Sequence, residues 1–187
     1  MNSVVTQDQA TSDYEIASRV ILQSILDDKT SIENRESLGA TVPIQLFQVL
    51  RMVALGTGME GMIGTGASAM VYQSGVNLGR ILGSAVNPTK DKDLDTYVGE
   101  IGLLCNKLSI GIVVPTKVDL DSGEIDFRVD ECVSCAGIHS VSAPICHFEA
   151  GMVGGIVGDF LGHNVKATET KCNAIGDKTC AIATKFL

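Results

Sequence analysis

Residues 144–180 read PICHFEAGMVGGIVGDFLGHNVKATETKCNAIGDKTC, and in that order they spell a helix, a strand, a turn and the start of another strand. Pro144 suits a first helical position, with Ser142 as a cap before it. Phe148, Met152, Ile156 and Phe160 recur every fourth residue, along one helical stripe. Gly162 offers the stop. Val165, Ala167 and Glu169 then alternate onto one face of a strand. Asn173 to Lys178 reads as a turn about Gly176-Asp177, and Cys180, Ile182, Thr184 and Phe186 alternate down a closing strand. A helix laid on this hairpin would bring Cys146, Glu169, Cys172 and Cys180 together from the ends of their elements.

That quartet has the chemistry of a metal site. Thiolate is a soft ligand that suits zinc, and three Cys with one carboxylate fill a tetrahedral shell. Cys146 lies in the first helical turn, where free N–H groups and the helix dipole favour the thiolate. Glu169 shares the buried strand face of Val165 and Ala167, so its charge requires a cation or strong donors. Parity sets Glu169 and Cys172 on opposite faces of a regular strand, so a bend or bulge must turn Cys172 inward. Two other readings remain open. Free cysteines are good core fillers, and Cys172–Cys180 could form a hairpin disulfide.

The run E-x-x-C-x3-G-x3-C, formed by Glu169, Cys172, Gly176 and Cys180, resembles the end of the 4-vinyl reductase domain family. Cys146, Gly151, Gly155 and Gly162 sit at matching offsets upstream. The resemblance is specific over about the last third of the chain and extends from near Leu38; residues 1–37 fall outside it. That family includes proteins linked to bacteriochlorophyll synthesis, sensor domains of phenol-responsive activators, and stand-alone archaeal proteins. The resemblance implies zinc held by Cys146, Glu169, Cys172 and Cys180, as in the sensor members, and a TRAPP-subunit-like α/β fold.

Composition bounds the rest. The 187 residues are 45% hydrophobic but only 4% aromatic, with 20 Gly and no Trp, so the core is aliphatic and closely packed. One ligand-binding domain over 38–187, preceded by an extension over 1–37 with one helix, suits that length. The net charge of −8 argues against nucleic acid or an anionic membrane surface as partner. Neither a membrane span nor a signal peptide is legible, and the expected compartment is the cytoplasm.

Upstream, Ser12 or Asp13 can cap a helix bearing Ala17, Val20, Ile21 and Ile25 on one face, before a charged linker with Lys29, Glu33, Arg35 and Glu36. Pro43 opens a second helix with Ile44, Phe47, Leu50, Val53 and Ala54 inward. Gly56, Gly58 and Gly61 spell G-x-G-x-x-G, but a helical run precedes them where a dinucleotide site needs a strand, so they are expected to form a turn. Ala67 to Ala85 forms a third helix. Leu94, Tyr97, Val98, Ile101, Leu104, Cys105 and Leu108 mark a fourth, with Cys105 an inert core thiol. Ile110 to Val118 and Glu124 to Val133 form a hairpin about Asp121-Ser122-Gly123. Cys132-Val-Ser-Cys135 ends that hairpin and reads either as packing or as half a metal or redox site.

This order predicts an α+β domain, a four-stranded antiparallel sheet with helices on one side. No nucleophile, His and acid fall into a catalytic order, and no phosphate loop is present, so no catalytic residue is assigned. Glycines cost about 1 kcal/mol each inside a helix, so the stripes of Gly75 and Gly79 and of Gly151 and Gly155 imply that something approaches closely. That something is another helix or a ligand. In the ligand reading those glycines and Met152 frame an apolar cleft, with Tyr72, Tyr97 and His147 as its polar groups. The family resemblance, more than the residues themselves, implies a zinc-stabilised module that binds or senses a small hydrophobic molecule and acts through a protein partner, and the glycine faces are compatible with a homodimer. The alternatives are a factor that reduces or presents a vinyl tetrapyrrole, and a structural assembly subunit.

Overall fold

The computed structural model describes residues 7–27, 35, 37–122 and 124–187, with side chains from Ile16 onward. The linker residues Lys29, Glu33 and Glu36, and Gly123 lie outside the described part, and Ser12 and Asp13, expected as caps, fall inside a helix that begins at Gln7. The chain divides into Met1–Val42 and Pro43–Leu187. The first unit carries helix α1 (Gln7–Leu26), on which Ile16, Val20 and Ile21 are exposed.

The second unit begins with one continuous helical run: α2 (Ile44–Gln48), a π segment (Val49–Gly58) and α3 (Met59–Ile63). The glycines expected to turn the chain are therefore helical, and the stop comes at Gly64, whose φ of +64° is the left-handed conformation glycine tolerates. The π winding also defeats the inward face expected from a 3.6-residue period. Ile44, Leu50 and Val53 are exposed, and Arg51 is the buried residue of the segment.

Helix α4 (Gly66–Val86) and helix α5 (Leu94–Lys107) follow. Asp93 caps α5 by accepting from the Thr96 backbone N–H at 2.9 Å. Tyr97, Ile101, Leu104 and Cys105 form the buried face of α5. Burial pushes the Cys105 thiol up to about 11, which suits a thiol that only fills space.

Strands β1 (Ile112–Asp119), β2 (Glu124–Asp130), β3 (Val165–Lys171) and β4 (Cys180–Phe186) form an antiparallel sheet in the order β1-β2-β4-β3. The fold is α+β. One sheet face presents Ile125, Phe127, Val129, Val165, Ala167 and Ile182 to Ala150, Val153 and Val157 of α6 (His147–Leu161). The other carries exposed Arg128, Lys166 and Thr168. The helix start at His147 corrects the start expected at Pro144. The Cys146 N–H is bonded by the Glu169 carboxylate, a cap from across the fold that makes Ser142 unnecessary.

Helix α6 is buried from Glu149 to Gly158 because α4 covers the side the sheet does not. A Cβ on Gly75 would sit 2.1 Å from the Phe148 carbonyl oxygen, and one on Gly79 would sit 2.0 Å from that of Met152. Reciprocally, a Cβ on Gly151 would meet the Tyr72 oxygen at 2.0 Å, and one on Gly155 the Val76 oxygen at 2.1 Å. The two helices thus run parallel with backbone against backbone, a seam that only glycine permits. The space beside Gly75, Gly79, Gly151 and Gly155 is therefore filled by helix backbone. Met152 is buried in the core, and Tyr97 donates its hydroxyl to the Ile156 carbonyl at 2.9 Å. These six residues belong to the helix packing, and none of them lines the groove described below. Among the described residues, no helix is long and apolar enough to cross a membrane.

Candidate metal centre and adjoining groove

Five of the six cysteines, all buried and free, converge where β2, β3, β4 and α6 meet. Cys146 immediately precedes α6, Cys172 follows β3, and Cys180 opens β4. The inward turn of Cys172 comes from a slip of register between Glu169 and Lys171, the bulge that strand parity requires. The Cys172 N–H is fixed by the Asp177 carboxylate at 2.9 Å. Glu169 accepts from the Cys146 N–H through Oε2 at 2.9 Å, while its buried Oε1 has no hydrogen-bond partner. One ligand atom from each of Cys146, Glu169, Cys172 and Cys180 lies within 4.8 Å of the others.

These distances suit a metal. Zinc–sulfur bonds of about 2.3 Å in a tetrahedron put sulfurs about 3.8 Å apart, and Cys146 Sγ lies 3.9 Å from Cys172 Sγ. The orphaned Glu169 Oε1 and four soft or anionic donors give a cation what it needs and what the protein alone does not supply. Burial pushes the Cys172 thiol up to about 12, reinforced by Glu169. Bonding to Cys132 and neighbouring thiols, with burial, also raises Cys146. Crowded thiolates cannot coexist without a compensating charge, so metal uptake must release protons.

Sequence spacing left the C-x-x-C pair open, and the fold brings it to the same place. Cys132 Sγ lies 3.7 Å from Cys146 Sγ, and Cys135 Sγ lies 3.4 Å from Cys180 Sγ. The loop is clamped from the π segment side. The Gln48 side-chain amide donates to the Val133 and Ala136 carbonyls at 3.2 and 2.9 Å. Ser134 donates to Glu149 Oε1 at 2.5 Å, and Arg51 pairs with Glu149 Oε2 at 3.2 Å while lying over the Phe148 ring. No residue pattern signalled this network, because Gln48, Arg51, Ser134 and Glu149 come from three separate segments.

Arg51 and Glu149 are both almost fully buried, so removing one leaves the other uncompensated. Arg51→Met should destabilise the protein by about 3–5 kcal/mol. Arg51→Met combined with Glu149→Gln should recover a good part of that loss in urea denaturation, whereas equal damage from both variants would count against a charge effect.

A groove of about 890 Å³ opens between α4, the start of α6 and the β3 edge. Tyr72, Val76, Ala150 and Ala167 give it an apolar floor, and His147 and Glu169 reach its wall. The Tyr72 hydroxyl accepts from the Ala167 N–H at 3.0 Å, so the ring is fixed. Of the expected ligand residues, Tyr72 and His147 lie on this groove. Glu169 belongs both to the groove and to the metal quartet.

Residues 125–186, from β2 through β4, match the V4R domain model. The chain is 30% identical over 174 residues to Uncharacterized protein MJ0150 of Methanocaldococcus jannaschii, covering 93% of each. In fold it is similar to the phenol-responsive sensory domain of the transcription activator PoxR with phenol, at a TM-score of 0.63, 14% identity and coverage of 89% and 90%. It is also similar to a trafficking protein particle complex subunit 3 from Naegleria fowleri covalently bound to palmitic acid, at a TM-score of 0.54, 13% identity and coverage of 76% and 96%. The matched segment contains all five clustered cysteines and Glu169, and with the near full-length relative it establishes that this chain belongs to the V4R domain family.

Proposed function

We propose that the chain is a small-molecule sensing module whose groove is tied to a zinc centre formed by Cys146, Glu169, Cys172 and Cys180. The observation that carries this reading is Glu169, a residue that lines the groove and whose carboxylate belongs to the metal quartet. A ligand touching that wall would press on β3 and on the start of α6 at once. The mostly apolar floor, with the fixed Tyr72 hydroxyl and His147 among its polar groups, suits a small hydrophobic molecule. The fold shared with the phenol-responsive sensory domain supports the same class of ligand. Zinc filled by four protein donors has no open position and acts as structure.

Action through another protein, in the cytoplasm, completes the reading. The exposed Leu46, Leu50, Val53 and Met62 supply an apolar surface for a second copy or another partner, and native mass spectrometry separates monomer from dimer.

With no Trp in the chain, an apolar fluorescent dye can report on the groove without background. Ala69 is exposed on α4 at the groove mouth. Ala69→Trp should weaken saturable dye binding by tenfold or more, with melting temperature and metal content unchanged. Absence of saturable binding by the wild-type protein, for the dye and for phenol alike, would overturn the sensing reading.

A further inference from the structure

We propose that the cluster holds two metal ions, bridged by the thiolates of Cys146 and Cys180. This rests on the reading above that the Cys146, Glu169, Cys172 and Cys180 set binds zinc. The geometry offers a second complete set, Cys132, Cys135, Cys146 and Cys180, whose ligand atoms also lie within 4.8 Å of one another. The two sets meet in Cys146 and Cys180. Two tetrahedra that share one edge need this arrangement: two bridging donors, and two terminal donors on each side. Glu169 and Cys172 are the terminal pair of one ion, Cys132 and Cys135 of the other. The sulfur separations of 3.7, 3.4 and 3.9 Å surround the about 3.8 Å edge of a zinc–thiolate tetrahedron and are far beyond a disulfide bond.

Charge agrees with the second ion. Two divalent cations leave six anionic donors with the same residual charge that one cation leaves on four, so the extra site adds no uncompensated charge to the interior. The loop bearing the second terminal pair is built as well as the first. Ser134, between its cysteines, is fully buried and bound to Glu149, which is held by Arg51, and Gln48 fixes the carbonyls of Val133 and Ala136. Such support positions ligands in a way that space-filling thiols do not require.

Native mass spectrometry of protein expressed with zinc should show two zinc ions per chain. Cys132→Ser with Cys135→Ser should retain one, and Glu169→Gln with Cys172→Ser should also retain one. A measurement on the unaltered protein covers variants that fail to fold. In apo protein titrated with cobalt(II), the paramagnetic resonance signal should grow with the first equivalent and shrink with the second, because thiolate bridges couple the two ions. One zinc per chain, retained in full by the Cys132/Cys135 variant, would overturn the second site and leave the zinc reading standing. No bound zinc in any form would overturn both. Iron with acid-labile sulfide in place of two zinc ions would overturn the bridged pair.

Discussion

Cys172→Ser combined with Cys180→Ser should strip the protein of its metal and lower its melting temperature by roughly 10–20 °C. Cys180 belongs to both donor sets, and Cys172 lies beside the orphaned Glu169 oxygen, so the pair removes the centre and not just one ligand. A metal held there would tie the start of α6 to both arms of the β3–β4 hairpin, adding to the strand pairing and to the Glu169 bond to the Cys146 N–H. Structural zinc contributes on the order of 10 kcal/mol in small zinc peptides. A domain with its own aliphatic core depends on it less, and about 5 kcal/mol in a chain of this length corresponds to that shift. Chelation of the wild-type protein during a thermal scan should give the same direction. Loss of zinc with an unchanged melting temperature would sink the structural role.

Gly79→Leu should be at least as damaging, by a different route. Its Cβ would lie 2.0 Å from the Met152 carbonyl oxygen and 2.9 Å from the Ile156 nitrogen. Both are backbone atoms of a buried helix, so no rotamer change relieves the clash, and α4 must move off α6. Separation opens the seam that Gly75, Gly151 and Gly155 also form, and the cost should exceed about 4 kcal/mol, with loss of a cooperative unfolding transition. The control is Gly99→Ala on α5, where an added Cβ meets nothing within 4 Å. It should stabilise by about 0.5–1 kcal/mol through helix propensity. Comparable circular-dichroism melts for Gly79→Leu and wild type would show that the helices can part at no cost.

The amino-acid sequence by itself determined the elements whose signal is local. Helix α5 was legible because its apolar period, from Leu94 to Leu108, is a local signal. The same holds for β3 and β4, whose alternation sets Val165, Ala167, Cys180 and Ile182 inward. The Glu169 and Cys172 parity conflict was legible too, since a two-residue period admits only a bulge as its solution. Tertiary structure alone decided which thiols share a centre. Cys132 and Cys135 meet Cys146 and Cys180 through strand pairing across the whole second half of the chain, and no spacing records that. It also decided what approaches the glycines, because a helix backbone and a ligand make the same demand for a missing Cβ. The π segment escaped the sequence for a related reason. Its i→i+5 winding turns Arg51 inward and the apolar Leu50 and Val53 outward, and only the distant Glu149 makes the burial of that guanidinium tolerable.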